Sequence, residues 1–331
     1  MSDQNENQAP AKQSGTAKVE PTARSMRTVA MTALGGTSIE WYDFFIYGTA
    51  AALVFPTLFF AEDMPRYVSL IASFSTFAVG FLARPVGGVV FGHFGDRVGR
   101  KAALVTALMM MGVATTLIGL LPSYADIGPL APLLLIFLRF VQGLAVGGQW
   151  GGAMLLVTEN APSNQRGFYG AFAQVGAPAG LVLANLAFLA VSGNLSDEAF
   201  MDWGWRVPFI SSVLLIGLSL YVQLKLEDTE AFKELAEASE PAAAKPRSPV
   251  VQALKTYPRE IGLAAGSFLG VQVTFYICVA WIISYGNDPE GLNIARSDML
   301  TAVLISTMFA IPANFIFGAW SDRHGRRGIY K

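Results

Sequence analysis

Apolar residues gather into eight long runs, at about 29 to 56, 68 to 91, 102 to 121, 132 to 158, 169 to 192, 207 to 224, 261 to 285 and 298 to 318, with short polar breaks between most of them. Each run approaches the roughly 20 apolar residues that a helix needs to cross about 30 Å of hydrocarbon. The pattern predicts eight spanning helices and an all-α integral membrane protein. The breaks contain Pro, Gly, Asn and Asp, as at 122–126 and 192–197. Two stretches differ. Residues 1–26 are polar, with no apolar run that could serve as a secretory signal, and read as a disordered tail. Residues 225–260 begin with a charged amphipathic stretch and pass into Ala, Pro, Lys and Ser, which marks a linker. The expected organisation is a tail over 1–26, six helices over 27–224, the linker over 225–260, and two further helices over 261–331.

Composition agrees with this reading: 53% of the residues are hydrophobic and 14% charged, against about 25% charged in soluble domains. A net charge of −1 gives no reason to expect a nucleic-acid partner. The single cysteine, Cys278, excludes an internal disulfide framework and a cysteine-based metal cluster; among Phe275, Tyr276 and Trp281 it reads as a small core residue. The position of the basic residues says more than their sum. If the tail is cytoplasmic, 18 of the 23 Lys and Arg residues lie on that side, Arg66, Arg206 and Arg296 lie opposite, and Arg84 and Arg139 fall inside spans. Because Lys and Arg are retained in the cytoplasm, both ends of the chain are expected there.

The chain repeats itself once. Residues 92–101 (GHFGDRVGRK) and 318–327 (GAWSDRHGRR) share a residue class at six of ten positions at an offset of 226 residues, each copy following the second span of its half. This arrangement is a parallel repeat about an axis along the membrane normal. Asp96 and Asp322 are placed to face a helix N-terminus in the opposite half. The arginines of each copy can meet a carboxylate at a neighbouring helix end, with Glu159 as the candidate. Gly92, Asp96, Arg97, Gly99 and Arg100, and Gly318, Asp322, Arg323, Gly325 and Arg326, form the two loop motifs.

Through these motifs the sequence resembles the major facilitator superfamily, whose loop between helices two and three has the pattern G-x-x-x-D-R/K-x-G-R-R/K. Ile39 to Phe44 (IEWYDF), Arg84 to Gly88 (RPVGG), Arg139 to Gly143 (RFVQG) and Trp203 to Phe209 (WGWRVPF) resemble the metabolite:proton symporter branch, with its shikimate, α-ketoglutarate and proline or betaine carriers. Members often have Glu where this chain has Gln149, and a Glu-Thr-Pro motif where it reads Glu227-Asp-Thr-Glu230. The resemblance implies a complete N-terminal six-helix bundle followed by the first two helices of a C-terminal bundle, gating by the loop motifs, and residence in the inner, or cytoplasmic, membrane. The family has twelve spans against eight here, so the chain is expected to be a truncated product or a sequence fragment.

Few residues inside the spans can do chemistry, and an ionisable side chain at the centre of a spanning helix costs about 2.5–3.5 kcal/mol by insertion scales. Glu40 and Asp43 share a face of the first span, three residues apart, and Arg139 and Gln142 repeat that spacing in the fourth. A carboxylate here can gain and lose a proton while the guanidinium keeps its charge. Asp43 or Glu40 is therefore the candidate proton carrier, and Arg139 the group that binds a substrate carboxylate or returns to the acid when the site is empty. The family's RxxQG motif, which Arg139 and Gln142 match, implies a link to proton coupling. The bland alternative is a fixed ion pair that locks helices one and four. Arg84, near Pro85, has structural and binding roles equally open, because it can snorkel. Gln142, Gln149 and Tyr42 are further candidates for holding a small polar solute, with Arg139 and Arg84.

No metal is expected, since His93 and His324 lack a third ligand. No cofactor is expected either, since the glycine-rich run at 147–152 lacks the Lys-Ser/Thr of a nucleotide loop. With no nucleophile and base pair, an enzyme is not the reading. The expectation is a secondary active transporter, monomeric in the lipid bilayer, moving a shikimate-like organic acid with a proton. An uncoupled facilitator or exchanger, and a nonfunctional transporter fragment, are the alternatives.

Overall fold

The computed structural model describes residues 23–98, 100–147, 157, 161–162, 164–227, 256–289 and 291–326. Among the described residues there are eight long helices and no strands: α1 (Ala23–Leu53), α2 (Arg66–Val98), α3 (Arg100–Leu120), α4 (Leu130–Gly147), α5 (Arg166–Ser192), α6 (Arg206–Glu227), α7 (Pro258–Tyr276) and α8 (Arg296–His324). α7 continues through a π-helical turn, Ile277–Trp281, into Ile282–Gly286. Five of the eight helical segments are long and apolar enough to cross a membrane by composition alone. α1 is not among them: Glu40, Asp43 and several small or hydroxyl residues interrupt its middle.

The helices run past the ends that hydropathy suggests. α1 begins at Ala23, inside the expected tail. α2 extends to Val98 and α8 to His324, so the stretches 92–98 and 318–324 of the two motifs are final helical turns rather than loop. Charged side chains at a helix end reach water without ending the helix. α8 stops only where Gly325 takes φ +82°, a left-handed conformation that glycine adopts without steric cost. Residues 1–22 of the expected tail and 228–255 of the expected linker lie outside the described residues.

α1 packs along α5, α2 along α4 and α3 along α6, while α8 joins the first six helices chiefly through α5. Close approach of α2 and α4 depends on glycine. A Cβ on Gly143 would collide with the Gly80 carbonyl, and one on Gly147 with the Arg84 carbonyl. Small residues at four-residue spacing allow this backbone contact in lipid, where dispersion and hydrogen bonds replace the hydrophobic drive between helices. α1 and α5 meet the same way, Gly176 against Thr37 and Gly180 against Ser38 and Trp41.

At the end opposite the motifs, an aromatic core of Phe55, Phe59, Trp205 and Phe209 closes the first six helices. Arg206 opens α6 and donates to the carbonyls of Gly119 and Leu121, at 3.0 and 2.6 Å, where α3 ends; a cation there complements the helix dipole. Outward-facing apolar side chains such as Leu82, Leu214 and Phe309, each more than 70% exposed, form the surface expected against hydrocarbon. Cys278 is exposed as well, which corrects its reading as a core residue; Phe275 and Tyr276 pack on rings of the first two helices, whereas Trp281 is exposed like the cysteine.

Candidate functional site

Near the middle of the first four helices, charged and amide side chains converge. Glu40, Asp43 and Phe44 of α1, Gly80 and Arg84 of α2, Met111 of α3, and Arg139, Gln142, Gly143 and Val146 of α4 line one cavity. Its free space, about 10 Å³ for the centre of a water-sized sphere, is close to the least that holds one water.

Arg139 is 3% exposed and Asp43 2%, yet no ion pair within 4.0 Å joins Arg139 to a carboxylate among the described residues. A directional chain of hydrogen bonds connects them instead. Arg139 Nη1 donates to Gln142 Oε1 at 3.1 Å, Gln142 Nε2 donates to Thr115 Oγ1 at 2.7 Å, and Thr115 Oγ1 donates to Asp43 Oδ2 at 3.1 Å. The Gln142 amide orientation follows from this network. Thr115 has a single proton to give and a second acceptor within reach, the Met111 carbonyl at 2.9 Å. The Asp43 carboxyl and the Met111 carbonyl compete for that one proton.

The arginines are held by rings. Arg139 lies over Tyr47, Phe77 and Phe44 at 4.1, 4.7 and 4.9 Å from their centroids, and Arg84 over Phe81 and Phe44 at 4.7 and 5.0 Å. Ring faces replace part of the water that a buried guanidinium loses, with about 2 kcal/mol or more available per desolvated contact. Gly80 makes the space, because a Cβ there would stand 2.7 Å from Arg139 Nε. Nε and Nη2 of Arg139, Nε of Arg84, Oδ1 of Asp43 and Oε1 of Glu40 remain buried without a hydrogen-bond partner. The site therefore holds unused donors and unused acceptors side by side.

The other sequence candidates are dispersed. Tyr42 does not line the cavity; its hydroxyl donates to the Pro208 carbonyl at 3.0 Å and ties α1 to α6. Gln149, Glu159 and Gly99 lie outside the described residues, as do the side chains of Asp96 and Arg100. In the first motif Gly92 and Arg97 are exposed. In the second, Asp322 accepts from the backbone N–H groups of Gly167 and Phe168 at 2.7 and 2.9 Å, which places its carboxylate on the N-terminus of α5. Gly318 meets Gly167 backbone to backbone beside it, and Arg323 and Arg326 are exposed. At the opposite end the last two helices reach the first six through Arg66–Asp288 at 3.5 Å and Arg296–Asp197 at 3.0 Å. A vestibule of about 950 Å³ opens there, lined by Glu62, Arg66, Ser123, Tyr124, Ser284 and Asn287 among others.

Sequence reasoning missed Thr115, Phe44, Phe77 and Gly80. A threonine or a glycine in an apolar helix gives little signal, because either usually serves packing; the adjacent pair Thr115-Thr116 is the one hint.

The family model described as Major Facilitator Superfamily matches residues 41–331. Inner membrane metabolite transport protein YhjE of Escherichia coli is 44% identical over 306 residues, covering 92% of this chain and 68% of the relative. The shikimate transporter of the same organism is 42% identical over 304 residues, with the same two coverages. The proline/betaine transporter of Salmonella typhimurium is 33% identical over 312 residues, covering 91% of this chain and 61% of the relative. Among solved structures, the proton:xylose symporter XylE bound to 6-bromo-6-deoxy-D-glucose superposes with a TM-score of 0.64 at 15% identity, over 92% of this chain and 71% of that one. XylE from E. coli in a partially occluded inward-open conformation gives 0.64 at 16% identity, over 92% and 73%. This chain is a multi-pass membrane transporter of the major facilitator superfamily.

Proposed function

We propose that the protein is a monomeric proton-coupled symporter of small organic acids in the inner, or cytoplasmic, membrane, with its motif-bearing end in the cytoplasm. The observation that carries this reading is the chain from Arg139 through Gln142 and Thr115 to Asp43. It joins a permanent cation to a titratable carboxylate beside one small cavity without neutralising either by a direct pair. Asp43 is the proton carrier, its free Oδ1 facing space for a single water. Arg139, with two unpartnered nitrogens, receives the carboxylate of the solute, and Arg84 lies beside it. Protonation of Asp43 releases the Thr115 proton to Met111, slackens the chain that orients Gln142, and frees Arg139 for the anion. Glu40 and Arg84 form a second charged level one turn nearer the motif end. Asp322 on the N-terminus of α5 and the Gly167–Gly318 contact hold the motif end closed, and motif residues Asp96, Arg97 and Arg100 belong to the same gate. The names of the E. coli relatives support a metabolite such as shikimate as solute.

The test is uptake of labelled shikimate, α-ketoglutarate and proline into proteoliposomes containing the chain, with and without a protonophore. Accumulation of an acid that collapses with the proton gradient is expected. Equilibration without accumulation would reduce the protein to a facilitator, and accumulation that survives the protonophore would remove the proton from the reading.

A further inference from the structure

Tyr276, on α7, rests on the charged site's aromatic box. Its ring stands edge-on to Phe81, Phe77 and Phe44 at centroid distances of 5.7, 6.0 and 6.2 Å. These are the rings that carry the guanidiniums of Arg84 and Arg139. The tyrosine hydroxyl is buried and has no hydrogen-bond partner. Its surroundings are ring faces, the two cations and an apolar helix, so it contributes nothing to the empty state that a phenylalanine would not contribute without the desolvation cost. Buried tyrosine hydroxyls ordinarily find a partner. Here the unused hydroxyl joins three unused guanidinium nitrogens, Nε and Nη2 of Arg139 and Nε of Arg84, none of which is bonded to the site's own unused acceptors, Asp43 Oδ1 and Glu40 Oε1.

Tyr276 does not line the one-water cavity. It covers the box on the side facing α7, where the second half meets the first. We propose that Tyr276 is the second half's ligand to the transported anion: its hydroxyl donates to one carboxylate oxygen while Arg139 holds the other, so that the bound carboxylate joins α7 to the first half. The ligand class is a carboxylic acid in its anionic form. This inference rests on the organic-acid reading of the same site.

The experiment compares the wild-type chain with Tyr276→Phe, which removes the hydroxyl and keeps the ring. Equilibrium binding of labelled shikimate, α-ketoglutarate and proline, and of methyl shikimate as the uncharged ester, is measured on each purified protein with its thermal transition in the absence of ligand. Loss of a hydrogen bond to a charged group is expected to weaken binding of the acid about 10-fold. Binding of the ester, whose carbonyl is a weaker acceptor, should fall less than that of the acid, and the transition of the empty protein should stay at or above the wild-type value. Undiminished acid binding by Tyr276→Phe overturns the inference, and so does an equal loss for acid and ester or a lowered transition, which are signs of a packing role. If the wild-type chain binds none of the acids, the organic-acid reading itself falls and this inference falls with it; the wild-type measurement separates the two failures.

Discussion

Gly143 and Gly147 of α4 and Gly262, Gly266 and Gly270 of α7 follow the same four-residue spacing, but the two helices put it to different use. In α4 the glycines press against backbone atoms of α2, whereas in α7 a Cβ at any of the three positions would meet nothing within 4 Å. Burial follows the same division: 44% of the apolar window in α4 is buried, against 12% in α7. Small residues permit contact without creating it. A facing helix and the groups it brings decide whether the spacing becomes structure, and in the first half that contact also makes the pocket in which Arg139 sits.

The sharpest way to break this comparison is a pair of leucines. Gly143→Leu drives a side chain into the Gly80 carbonyl and Ala83, an overpacking cost of at least 1–3 kcal/mol, roughly, with backbone that cannot yield. Loss of monodisperse protein in detergent, or a large fall in its thermal transition, is expected. Gly266→Leu meets open space and should leave both unchanged; equal damage from the two would show that the α7 face is already occupied.

Next in size is Thr115→Val, which keeps the shape of the side chain and cuts the hydrogen-bond chain. It leaves Asp43 Oδ2 and Gln142 Nε2 without a partner, each at roughly 1–3 kcal/mol. Stability by denaturant or heat should drop by about that amount, and gradient-driven accumulation should fall more than exchange does.

Asp322→Ala tests the contact between the halves. It removes two charge-assisted hydrogen bonds at the start of α5, an effect of about 1–2 kcal/mol by analogy with helix capping, whereas Asp322→Asn keeps an acceptor and should lose less. Thermal transitions of the two variants, ranked against wild type, check this order.

The smallest effect belongs to the surface turn at 123–126. There the backbone N–H and hydroxyl of Ser123 both donate to Asp126 Oδ2, at 2.9 and 2.7 Å, and hold the Asp126 carboxyl below its ordinary value. A depressed folded-state value means that the contribution is present above the unfolded-state pKa and is lost as pH falls through the folded one. Ser123→Ala should therefore differ slightly from wild type at neutral pH and converge with it in acid; a difference that persisted in acid would point to packing instead.

Much of this was legible in the sequence, for physical reasons that also mark where legibility ends. Eight apolar runs announce eight helices because lipid tolerates few interruptions. Glu40, Asp43, Arg139 and Gln142 stand out because charge and amide groups are rare at that depth, and all four line the cavity. Direct contact between the faces of α1 and α4 was not legible in the form it takes, since Thr115 of α3 mediates it. Tyr42 and Tyr276 were indistinguishable as aromatic residues of membrane helices; only the fold gives one hydroxyl a partner on α6 and leaves the other without one, on a ring packed against the phenylalanines that hold two arginines. The helical ends of α2 and α8 escaped hydropathy because their last turns are charged and lie beyond the apolar runs.

The most direct test of the account is Asp43→Asn in proteoliposomes under an imposed pH gradient, with accumulation and counterflow exchange of the same labelled acid measured side by side. Asparagine keeps the size and an acceptor for Thr115 but cannot carry a proton. The expected result is no accumulation with exchange retained. Accumulation equal to wild type would contradict the account, because the proton would then travel by a route that does not pass through Asp43.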